Sequence, residues 1–63
     1  MMNDQDFWTV KAMRVFGGSF VVALADCMER ADESNFAKIK ITWPEYMKQY
    51  EEMGQKLKQE GGL

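Results

Sequence analysis

The chain has 63 residues, one cysteine, no histidine and a formal net charge of −2 from eight basic and ten acidic side chains. That length allows one domain, 1–63, burying only about 60% of the surface its unfolded form exposes. The single cysteine removes an intrachain disulfide, and the missing histidine removes the usual zinc ligand sets and the commonest general base.

With disulfides and metals excluded as supports, homo-oligomerisation is the remaining way to stabilise so small a core. The acidic balance gives no overall basic field for nucleic acid. The longest wholly apolar run is six residues, 20–25, far short of the roughly 20 needed to cross a bilayer. The first residues, MMNDQDFW, lack a signal-peptide layout, which together with a lone thiol fits a reducing cytoplasm.

Taken in chain order, a first helix starts after Asn3, Asp4 or Asp6, each able to cap free amides, and stops at Gly17, read as a left-handed cap. A second helix starts with Ser19 as N-cap and runs to about residue 32. Its polar stripe is Asp26, Glu29, Arg30 and Glu33; extended backwards, that stripe meets Val22 and Ala23, so the first turns are apolar all round and call for a partner subunit. Cys27 falls on the interior side of this helix as a small core thiol.

A short helix or turn covers 32–41, capped by Asp32 or Ser34, with Phe36 and Ile39 inward and a strand-like alternation in IKIT. The last helix begins at TWPEY, with Thr42 as N-cap, Pro44 in the first turn and Glu45 closing a capping box. Trp43, Tyr46, Tyr50, Met53 and Leu57 then recur at heptad-like spacing. Gly54 either ends this helix or interrupts one that continues to about Gln59. Residues 1–5 and 61–63 are expected to fray. The fold class is therefore all-α, a bundle of three or four short helices stabilised by homo-oligomerisation.

No constellation carries catalysis, a metal or a cofactor. Ser19 has no base, and the acidic pairs occupy solvated faces, so the chain reads as a non-enzyme. The Gly17–Gly18–Ser19 junction has two readings. As a hinge it lets two helices reverse and pack closely. As a cradle its amides face an anion at a helix N-terminus, with Lys11 and Arg14 closing over it and Trp8 stacking on a base. The hinge ranks first. The candidate interface comprises Val22, Ala23, Trp43, Tyr46, Met47 and Tyr50, with Met47 the surface contact beside the seam and Met28 and Met53 in the core. Interleaved acids among Lys38, Lys40, Lys48, Lys56 and Lys58 argue against a nucleic-acid surface.

The F-G-G-S-F junction, the following A-L-A helix, A-D-x-x-N and W-P-E-Y together resemble short phage- and prophage-encoded proteins, over roughly residues 7–54. The resemblance implies an accessory protein acting in the cytoplasm of an infected bacterium and transfers no catalytic residue. The expected function is a non-enzymatic counter-defence factor that occupies a host or phage protein. The alternative is a sponge that sequesters an anionic cyclic nucleotide at the glycine junction.

Overall fold

A computed structural model describes residues 2–61. It contains four helices: α1 (Asp4–Phe16), α2 (Ser19–Arg30), α3 (Glu33–Thr42) and α4 (Pro44–Gln59). No strand occurs among the described residues, and the IKIT segment is helical. The expected fraying at residue 1 and at 62–63 lies outside the described residues. Asp4 and Gln5 are already in α1, so the first helix begins earlier than a frayed 1–5 allows.

The α1 start follows from its side chains. Asn3 Oδ1 accepts from the Asp6 amide at 2.7 Å, and Asp4 and Asp6 place negative charge in the first turn. Thr9 is the one buried polar residue among those described; its hydroxyl donates to the Gln5 carbonyl at 2.8 Å, which removes the cost of burying it. Asp32 caps α3 in the same way, accepting from the Asn35 amide at 2.8 Å.

Three junction details differ from the sequence expectations. Gly17 ends α1 in an extended conformation (φ −79°, ψ 154°), not a left-handed one. Gly18, not Ser19, is the N-cap of α2, and no side chain caps that end. Trp43 is both the last cap of α3 and the N-cap of α4, so the Thr42–Glu45 capping box does not form. Thr42 closes α3, where its hydroxyl donates to the Lys38 carbonyl at 2.6 Å. Pro44 does occupy the first turn of α4.

The core is built from Val10, Ala12 and Met13 of α1, Val21, Leu24, Ala25 and Met28 of α2, Ile39 of α3, and Met47 and Tyr50 of α4. α1 and α4 form the most extensive pair, and α3 adds Ile39 as its sole buried residue. The buried stripe of α4 is Met47, Tyr50, Gly54 and Leu57. It shares Tyr50 and Leu57 with the Trp43–Leu57 seam but is centred about 40° round the helix from it, leaving Tyr46 and Met53 only half-buried. Met47 is thus core rather than surface, and Met53 only flanks the core. Cys27 is exposed, because the core face of α2 is centred on Val21, Leu24, Ala25 and Met28 and position 27 lies about 100° away.

Gly54 does not end α4, which continues to Gln59. A Cβ there would lie 2.6 Å from the Trp8 carbonyl oxygen and 2.7 Å from its carbon, so this glycine is what lets two helix backbones meet. Gly17 has a similar role, since a Cβ would press on the Met13 carbonyl and lie 2.7 Å from Val21 Cβ. Gly18 faces open space.

These glycines give opposite expectations. Gly54→Ala improves helix propensity by about 1 kcal/mol, yet should lower stability by about 1–3 kcal/mol, because backbone atoms cannot yield to the added methyl. Gly17→Ala should destabilise similarly, whereas Gly18→Asp should stabilise by about 0.5–1 kcal/mol by capping α2 and stiffening the unfolded chain. Urea unfolding of the three variants checks all three signs.

Candidate binding surface

The surface that stands out is aromatic and lies where the start of α2 meets the α3–α4 joint. Phe20 sits in the first turn of α2 and is 54% exposed. Its ring centroid is 6.0 Å from that of Trp43, at an interplanar angle of 70°, and 5.9 Å from that of Tyr46, at 45°. Tyr46 in turn stacks at 6.5 Å on Tyr50, which is buried. The rings form a ladder from solvent to core. Its outer end borders a depression of about 500 Å³ that also takes in Pro44, Glu45 and Gln49. A one-residue joint holds this geometry: Trp43 donates its amide to the Ile39 carbonyl at 3.1 Å and accepts from the Met47 amide at 3.1 Å.

Of the candidate interface residues, Trp43 and Tyr46 come together here, half-buried with one face outward. Met47 and Tyr50 are core. Val22 is half-buried and Ala23 exposed on α2. Phe20 was missed as a contact because an apolar residue in an apolar run looks like core. The signal that identifies it is phase: Phe20, Ala23 and Cys27 recur at i, i+3 and i+7, which makes them one outward face.

The residues of the anion-cradle reading are dispersed. Arg14 ion-pairs with Asp26 at 3.3 Å and with Glu29. Those partners lie seven and ten residues into α2, so at about 1.5 Å per residue the guanidinium sits roughly 10–15 Å along the helix from its N-terminal amides. Lys11 places its ammonium over the Trp8 ring, 5.4 Å from the centroid. Gly17 is half-buried against Met13 and Val21, while Gly18 and Ser19 are exposed.

Arg14, Asp26, Glu29 and Arg30 form a surface network between α1 and α2. The hydrogen bond from Arg30, reinforced by its charge and by Arg14, holds the Asp26 carboxyl below the usual carboxylate range. The bond to Glu29 raises the Arg14 guanidinium further above its already high value. Among the described residues no group of three or more His, Cys, Asp or Glu side chains is placed to hold a metal ion, and no helix is long and apolar enough to cross a membrane. No protein-family model matches the chain, and no curated protein or solved structure shows significant similarity to it.

The depressed Asp26 carboxyl has a pH consequence. A group whose folded pKa is lowered contributes stability that is present above its unfolded value, near 3.8, and lost as pH falls through the lower folded value. Asp26→Asn should therefore flatten the acid limb of the stability curve below about pH 4. Thermal melts of both proteins across that range check it.

Proposed function

We propose that the chain is a non-enzymatic binding protein that occupies a protein partner through the Phe20–Trp43–Tyr46 surface. The observation that carries this reading is the exposure of Phe20 while it touches two other aromatic rings. A side chain of that kind keeps apolar area in water, at about 25 cal/mol per Å², that a partner would remove. Large rigid rings with polar tips, here the Tyr46 hydroxyl and the Trp43 indole N–H, suit the centre of a protein interface. Glu45 and Gln49 beside them provide a polar rim.

The resemblance to phage-encoded proteins sets the proposed context, an accessory or counter-defence factor in the cytoplasm of an infected bacterium. Self-association belongs to the same proposal, with the outward face of α2, including Ala23, as its contact. Nucleotide sequestration has less support, because Arg14 is committed to two carboxylates away from the glycine junction.

The test replaces Phe20 with a photo-crosslinking benzoylphenylalanine in the infected host. One discrete heteromeric adduct is expected, at least tenfold reduced by Tyr46→Ala in a chain whose circular dichroism is unchanged. An adduct indifferent to Tyr46→Ala would overturn the reading. So would native mass spectra showing a fixed number of cyclic nucleotides bound by the wild type and none by Arg14→Ala.

A further inference from the structure

The two flanks of α3 differ. On one side Asn35, Lys38, Ile39 and Thr42 face α2 and the Trp43 joint. On the other, α2 and α3 enclose a groove of about 580 Å³ with Phe36, Ala37 and Ile41 along one wall and Met28 and Ala31 along the other. Ile41 is 77% exposed, and Phe36 is half-buried. Ala37 and Ile41 lie one turn apart on α3, opposite Ile39, which is buried. α3 is thus apolar on two sides and covered on one, the pattern of a helix with a second neighbour to pack against.

The rim of the groove says what that neighbour carries. Glu29, Asp32 and Glu33 border it, with Lys40 as the one cation. Lys40 is turned to other contacts: its ammonium is 3.3 Å from Asp6 Oδ1 on α1 and lies over the Phe36 ring, 5.5 Å from the centroid. Glu29 meets Arg14 yet leaves 42% of its side chain in water. Asp32 accepts from the Asn35 amide and Glu33 is engaged as well, but Glu29, Asp32 and Glu33 are all exposed and outnumber Lys40, so the groove pairs an apolar floor with a predominantly anionic edge. A thioether, that of Met28, lies in the wall, and Met2 closes one end; thioethers adapt their shape to different apolar anchors.

We infer that this groove docks a basic amphipathic helix: one large apolar side chain between Ile41 and Met28, a second one turn on, and Lys or Arg on either side facing the rim carboxylates. α3 has ten residues, or about 15 Å of helix and just under three turns, enough to lie along a ligand recognised through i, i+3/i+4 and i+7 anchors, which span about 10 Å. An acidic helix is opposed by the rim, and a second copy of this chain, with net charge −2, brings no charge complement. This site is on the far flank of α3 from the Trp43 joint and stands independently of the aromatic surface.

The experiment uses the full chain, ¹⁵N-labelled, with two synthetic 16-residue amidated peptides. One places Leu and Phe at i, i+3, i+4 and i+7 with Lys elsewhere; its twin replaces every Lys with Glu. The Lys peptide is expected to bind, to shift the amides of Ala37 and Ile41, and to lose at least tenfold in affinity to Ile41→Asp. That variant adds negative charge, so attraction through charge alone would instead tighten. Ile41→Gln, which puts no charge at the helix end, is expected to weaken binding similarly and to keep the wild-type dichroism. Equal binding of the two peptides overturns the inference, as does affinity unchanged or raised in Ile41→Asp. Self-association of the free chain that Ile41→Asp abolishes also overturns it, and assigns the groove to a second copy.

Discussion

The contact of the Gly54 backbone with Trp8 is the constraint from which the rest of the fold follows. Two helix axes approach this closely only where one side chain is absent. With α4 against α1 at that point, Tyr50 and Met47 on one side of Gly54 and Leu57 on the other face inward, while Tyr46 and Met53 turn towards the edge. α1 then packs against α4 and α2, and reaches α3 only through a side-chain ion pair. Asp4 pairs with Lys58 of α4, Asp6 with Lys40 of α3, and Arg14 with Asp26 and Glu29 of α2. These surface pairs contribute little stability individually. Their sequence along α1 nevertheless matches each neighbouring helix to one level of it, and a second glycine, Gly17, lets α2 fold back past Met13.

Much of this was legible in the sequence, and the failures share a cause. Asn3 and Asp32 act as caps, as short side-chain acceptors before a helical pattern should, and the helix breaks at 17–18 and 31–32 lie where glycines and caps put them. What the pattern does not settle is phase. On α2, Phe20, Val21, Val22 and Leu24 are all apolar, so periodicity leaves the choice of core face to tertiary packing; Val21 and Leu24 are buried and Phe20 is not. The same ambiguity misplaced Cys27, and it rotated the expected α4 seam so that Met47 looked external. Thr42 has the side chain of an N-cap, but Trp43 occupies that position by backbone geometry and the Thr42 hydroxyl goes to the preceding helix instead. The glycines were visible as breaks or interruptions, but their steric roles were not: Gly17 and Gly54 matter for the atoms opposite them, which no local pattern encodes.

The same excess of apolar residues over core positions connects folding to the proposed binding. The single-chain core uses methionines at 13, 28 and 47 as fillers, yet Phe7, Val15, Phe16, Phe20 and Ile41 remain substantially in water. Three of the five, Phe16, Phe20 and Ile41, border depressions, of about 220, 500 and 580 Å³ respectively. An apolar side chain beside a concavity has a geometry that a partner can complete, whereas one on a convex face does not. The binding proposals rest on Phe20 and Ile41 because theirs are the roomier depressions, about 500 and 580 Å³ against about 220 Å³ at Phe16.

Both proposed surfaces converge on α3, the helix least tied to the core. It contributes Ile39 alone to the buried set and ends in the one-residue joint at Trp43, whose ring belongs to the aromatic ladder. A local segment with few buried contacts opens at low free energy. A ligand packed against Ile41 would restrict that opening and hold the joint, and Trp43 with it, in one position. By the reciprocity of linked equilibria, a partner seated on Phe20 and Trp43 would then favour occupancy of the groove by the same factor. Coupling of this sign requires that both ligands favour the same ordered state of α3, and its size is limited by the free energy that ordering α3 requires.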